Sequence, residues 1–124
     1  MADRVCNKLI YEMPWEKYTD VSEIPHQKGI YVIGVNCTMS GQKAIKYLYL
    51  GQSRDVHARL KQHKYGDQEI DKFVKLKFRR NGGKDLCVKW IKEPKHKEKE
   101  TVYIKCVENK LGYKLKYNKI GRGN

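Results

Sequence analysis

A chain of 124 residues, 40% hydrophobic and 33% charged, has room for one domain with one modest core and not for a second. Its mean hydropathy of -0.81 and its N-terminal stretch MADRVCNKLI argue against a membrane span and a cleaved leader, so a soluble protein without membrane partners is expected. With 27 Lys+Arg against 14 Asp+Glu, the net charge of +13 suits polyanions, chiefly nucleic acid or an anionic membrane surface, and says nothing of chemistry.

Residues 1–28, with Pro14, Pro25 and the pair Met13/Trp15, read as a packed lead-in before a domain over 29–124. GIYVIGV (29–35) and KYLYLG (46–51) are rich in β-branched and aromatic residues and read as strands. The turn signal Ser40-Gly41 between them makes an antiparallel hairpin with a long loop. On alternation, Tyr31 shares a face with Ile33 and Val35, and Tyr49 one with Tyr47 and Gly51.

SRDVHARLKQHK (53–64) reads as a helix capped by Ser53 or Asp55. Residues 67–78 fit either period, with helix preferred. LCVKWI (86–91) reads as a strand after the break Asn81-Gly82-Gly83, and a helix is expected over roughly 95–111, ending near Gly112. The tail is short and basic. The fold class expected is therefore α+β, with about three strands in a small antiparallel sheet flanked by helices. Cys6, Cys37, Cys87 and Cys106 lack metal-binding spacing and read as reduced thiols, which points to an intracellular protein, cytoplasmic or nuclear and not secreted.

Misplaced polarity marks the chemistry. At about 100° per residue, Arg59 and His63 fall on the apolar stripe of Val56 and Leu60. Glu100 falls on that of Tyr103, Ile104, Val107 and Leu111 in the last helix, with Glu98 opposite. Inward charges cost free energy unless they are paired or bound to an ion. Two readings stay open at this point: a structural ion pair at the core edge, and a cleft suited to phosphodiester chemistry. His57, about 140° round the helix from Arg59, is expected at the surface or in a substrate groove.

The combination Gly29-Ile30-Tyr31, Tyr49-Leu50-Gly51, Arg59 eight residues after Gly51, and His63 four further on resembles the GIY-YIG nuclease family. ETVYIK (100–105) looks like that family's metal-binding helix, and Tyr117-Asn118 like its tail, with Asn109 as a rival for the family Asn. An insertion is expected around 36–46. The resemblance implies a GIY-YIG-like fold and a metal-dependent endonuclease that hydrolyses DNA by in-line attack of water, with RNA left open as a substrate. Glu100 would bind one divalent metal, Mg²⁺ or Mn²⁺, while Arg59 holds the scissile phosphate. Tyr31, its pKa lowered from about 10 by positive charge, would take the water's proton. Tyr49 would orient water or Tyr31, His63 would relay a proton, and Asn118, Gly29 and Gly51 would support the site. DNA repair or recombination, homing and restriction are settings such chemistry serves. Targeting would come from loops, self-association or a partner protein. Two alternatives are an inactive basic nucleic-acid-binding module of the same fold, and a protein-interaction domain in which Arg59 and Glu100 form a structural salt bridge.

Overall fold

A strand such as GIYVIGV offers water no polar face, so it must be covered on both sides. The computed structural model describes residues 6–36 and 45–118, and in it this strand is buried at every position. The strands are β1 (Glu16–Lys17), β2 (Gly29–Val35), β3 (Lys46–Ser53) and β4 (Leu86–Lys92). The longer helices are α1 (Val56–Gln62), α2 (Glu69–Asn81) and α3 (His96–Leu111), and the lead-in adds a short π-helix over Lys8–Glu12 and a 3-10 helix over Tyr18–Glu23. The four strands form one antiparallel sheet in the order β1-β4-β2-β3, with β2 between β3 and β4. The chain is thus α+β, with four strands where about three were expected. The extra one, β1, lies inside the lead-in and is too short to show alternation. The turn at Ser40-Gly41 and most of the expected insertion lie outside the described residues, as does the end of the basic tail.

Both faces of the sheet carry a core. Tyr31, Ile33, Val35 and Val88 pack against Val56 and Leu60 of α1 and Ile70 and Val74 of α2. On the other face Ile30, Val32, Leu50 and Ile91 meet Tyr103, Ile104 and Val107 of α3. Residues 69–81 are helical, as preferred, because Ile70 and Val74 then fall on one stripe and close the first core.

Two sequence readings are corrected. Ile33 pairs with Tyr49 but Gly34 pairs with Tyr47, so Leu48 is an extra residue in a β-bulge. One inserted residue reverses the alternation, and Tyr47 therefore packs on the α3 face, away from Tyr49. The described cysteines are not reduced thiols. Cys6 and Cys106 form a disulfide across 100 residues of sequence, and none of the described cysteines is free. No local spacing announces such a bond; packing of the lead-in against α3 makes it. The thiol argument for an intracellular location falls with that correction. Among the described residues, no helix is long and apolar enough to cross a membrane.

The bulge also builds a polar cage on the α3 face. Lys89, only 1% exposed, donates to the Tyr47 hydroxyl and the Ile10 carbonyl, both at 2.8 Å. Its ammonium lies 4.6 Å from the Trp15 ring, which supplies a cation–π contact. Burial pushes its pKa down from 10.5 to about 8. Between those values the unfolded chain holds more protons than the folded one, so this lysine makes stability rise with pH over that window. Lys89→Met should accordingly be at least as stable as the parent at pH 7, with its advantage shrinking as the pH is raised towards 10.5. Urea unfolding at both ends of the window checks this; a variant markedly weaker at pH 7 would make the caged ammonium a net stabiliser.

Candidate active site

α1 begins where the Asp55 carboxylate accepts the Ala58 N–H at 3.0 Å, so Asp55 is the cap and Ser53 braces it by accepting from the Asp55 N–H at 2.9 Å. That start sets the helix phase. Val56, Leu60 and His63 turn fully inward, and Arg59 is half-buried. His57, expected to face outward, is buried instead. Its Nδ1 lies 2.6 Å from the Ile24 carbonyl and its ring stacks on His26 at 4.0 Å, because the lead-in covers that flank of α1.

His63 sits between two groups. Its Nε2 is 2.6 Å from the Tyr31 hydroxyl and its Nδ1 is 2.5 Å from an Asp71 carboxylate oxygen. Tyr31, His63 and Asp71 are 0%, 0% and 1% exposed, so bulk solvent does not reach them. Asp71's other oxygen accepts the Gln68 N–H at 3.0 Å, closing the capping box that starts α2. A carboxylate can only accept, so the His63 proton belongs on Nδ1. The bare Nε2 then accepts from the Tyr31 phenol. This is a tyrosine–histidine–aspartate chain, ordered like a nucleophile–base–orienter triad.

Tyr31 reaches His63 only because residue 51 has no side chain. A Cβ on Gly51 would overlap the Tyr31 phenol and sit 2.8 Å from the Tyr49 ring. At Gly29 a Cβ would overlap the Ile91 carbonyl oxygen, so this glycine lets β2 and β4 approach. Tyr49 lies diagonally across from Tyr31, with ring centroids 6.2 Å apart, and is 5.5 Å from the His63 ring. Tyr31 is enclosed, whereas Tyr49 is only partly buried and is the phenol nearer solvent.

Arg59 and Glu100 complete the cluster. Arg59 donates to the Gln68 side chain at 3.3 Å. Among the described residues, neither Arg59 nor Glu100 belongs to an ion pair, so no structural salt bridge joins them. Both act on the same phenols. Burial raises the Tyr31 pKa well above 10, the Tyr49 phenol and Glu100 add to the rise, and Arg59 opposes it. Burial likewise raises Tyr49 against the pull of Arg59, with Glu100 adding to the rise. Tyr31 is therefore a neutral phenol at rest; the expected lowering of its pKa by Arg59 is outweighed by burial. Burial pushes His63 down to about 4 despite the Asp71 hydrogen bond, which leaves its ring neutral and able to accept a proton. Burial also raises the pKa of the Glu100 carboxyl.

Asn118 acts from outside the cluster. Its Oδ1 accepts the Leu50 N–H at 2.7 Å and its Nδ2 donates to the Leu50 carbonyl at 2.8 Å. It thus pairs with β3 between Tyr49 and Gly51 as a strand residue would, while Asn109 is exposed. Asp71 is the residue that sequence reasoning missed. Near the start of a helix an acid reads as a dipole partner, and only its place one turn before Val74 on the buried stripe hinted otherwise. Among the described residues, no three His, Cys, Asp or Glu side chains converge as metal ligands.

Neither a family model nor a curated protein matches this chain.

Asn118→Ala should cost roughly 2–4 kcal/mol, because it strands two buried backbone groups of Leu50; equilibrium unfolding measures it. His63 gives a second expectation. Its folded pKa lies below the unfolded value of 6.5, so the unfolded chain binds the extra proton and stability falls as pH drops from 6.5 towards 4. His63→Gln should show less of that acid loss, and an identical pH dependence in both proteins would refute the assignment.

Proposed function

We propose that this chain is a metal-dependent endonuclease of the GIY-YIG kind that hydrolyses phosphodiester bonds in DNA. The observation that carries the reading is the buried Tyr31–His63–Asp71 chain, with Arg59 and Glu100 acting on its phenol while neither belongs to an ion pair among the described residues. An inert core has no reason to hold an enclosed, directional proton path beside two uncompensated charges.

One half-buried carboxylate that is in no ion pair among the described residues fits a divalent ion that keeps most of its waters. Glu100 would hold that ion, Mg²⁺ or Mn²⁺, which supplies positive charge for the phosphoryl oxygens and the leaving 3′ oxygen. Arg59 grips the scissile phosphate through its planar fork. Water attacks phosphorus in line with the leaving oxygen and gives up a proton at the Tyr49 edge of the phenol pair. As Tyr31 gains that proton it passes its own to His63 Nε2, and Asp71 stabilises the imidazolium that forms. The P–O3′ bond breaks, and the 3′ oxygen is protonated from solvent. The phenols conduct the proton, and His63 stores it.

Three measurements test this. Glu100→Ala should abolish Mg²⁺-dependent cleavage of DNA while leaving the melting temperature unchanged or higher, since it removes a carboxylate destabilised by burial. Cleavage that survives in clean Glu100→Ala protein would remove Glu100 from the site. Tyr31→Phe should lower single-turnover cleavage by at least about a hundredfold, the scale of a lost proton-transfer group. The wild-type rate should fall only in acid, as His63 approaches its pKa of about 4. A rate rising tenfold per pH unit between 6 and 9 would instead assign the proton to a free phenolate.

A further inference from the structure

Immediately after His63 the chain leaves the core, and Tyr65 stands 82% exposed at the end of α1. With Phe78, Lys64, Lys75 and Arg79 it lines an open cleft of about 340 Å³. An exposed tyrosine by itself needs no explanation. Its neighbours do. Two other α2 cations have acidic partners, Lys72 in Glu69 at 3.4 Å and Lys77 in Asp85 at 2.8 Å, while Arg80, like its neighbour Arg79, is in no ion pair among the described residues. Among the described residues, Lys64, Lys75 and Arg79 are in no ion pair, and no acidic side chain lines the cleft. Lys64 is instead laid over the Phe78 ring, 4.6 Å from its centroid.

We propose that this cleft binds an unpaired nucleic-acid strand, stacking one base on Tyr65 and holding the flanking phosphates on Lys64, Lys75 and Arg79. An aromatic face beside uncompensated cations is the pairing that single-strand binding uses, because every base has a π-face and every nucleotide a charge. A base inside a duplex cannot reach such a wall without leaving its stack. An acidic polypeptide would satisfy the cations but leave the Tyr65 face without a stacking partner. The proposal rests on the reading of this protein as one that acts on nucleic acid. It specifies the substrate class, nucleic acid with an unpaired strand.

The test measures binding by fluorescence anisotropy in EDTA, so that it does not depend on cleavage. The probes are a short labelled DNA single strand, its RNA counterpart, the same strand made abasic, the blunt duplex and polyglutamate. The wild type should bind the single strands more tightly than the duplex. Tyr65→Ala should weaken single-strand binding by about tenfold, Tyr65→Trp should restore it, and neither change should alter binding of the abasic strand. Lys75→Ala should weaken all the nucleic-acid probes alike and reduce the salt slope by about 0.7 for the single strands. The ratio of DNA to RNA affinity decides between the two strands as the better ligand. Single-strand binding indifferent to Tyr65, tightest binding to the duplex, or a Tyr65-dependent preference for polyglutamate would each overturn the proposal. Tyr65-dependent binding with no cleavage in Mg²⁺ would uphold it while sinking the hydrolase reading, so the two failures are distinguishable.

Discussion

The two-sided burial of β2 constrains everything else. A strand that exposes none of its seven residues needs a layer on each face, and the chain supplies α1 and α2 on one side and α3 on the other. That sandwich is what lets residues remote in sequence act on one group. Tyr31 belongs to the strand, His63 to the residue capping α1, Asp71 to the first turn of α2 and Glu100 to α3. Because the layers are packed from both sides, the phenol, imidazole and carboxylate cannot turn to water and must satisfy one another. The directional hydrogen-bond chain is thus a consequence of packing.

The capping box of α2 shows how tightly local structure and site are joined. Asp71 accepts the Gln68 N–H with one oxygen and faces His63 with the other. The first oxygen fixes the rotamer of the carboxylate, so the second arrives at Nδ1 already oriented. The same turn positions Gln68, whose side chain accepts from Arg59. One helix start therefore sets both the tautomer of the histidine and the position of the guanidinium.

Much of this was legible from the residues, and what was not has physical causes. The helix and strand periods gave the architecture, and the inward stripe of α1 singled out Arg59 and His63 because a 3.6-residue period survives packing unchanged. Glu100 followed from the same arithmetic. The β-bulge at Leu48 did not, since one unpaired residue in a strand leaves no trace in composition yet moves Tyr47 to the opposite face. His57 was misread because a helical wheel knows nothing of a second covering layer, here the lead-in segment. The Cys6–Cys106 bond escaped for the same kind of reason: its partners meet only through tertiary packing. Sequence patterns report what a residue does within its own element, and these misses all arise between elements.

The two polar clusters of the sheet offer a contrast that bears on function. On the α3 face, Lys89 is enclosed with two oxygen acceptors and two aromatic rings, and every contact belongs to the protein. That is how a fold disposes of a buried charge when nothing else is to bind it. On the opposite face the neutral members are just as fully satisfied, but the charged groups that act on them, Arg59 of α1 and Glu100 of α3, are treated differently. Arg59 spends one long hydrogen bond on a neutral amide, and Glu100 is desolvated with no ion-pair partner among the described residues. On the proposed function, those two charges are left for a phosphate and a cation to engage.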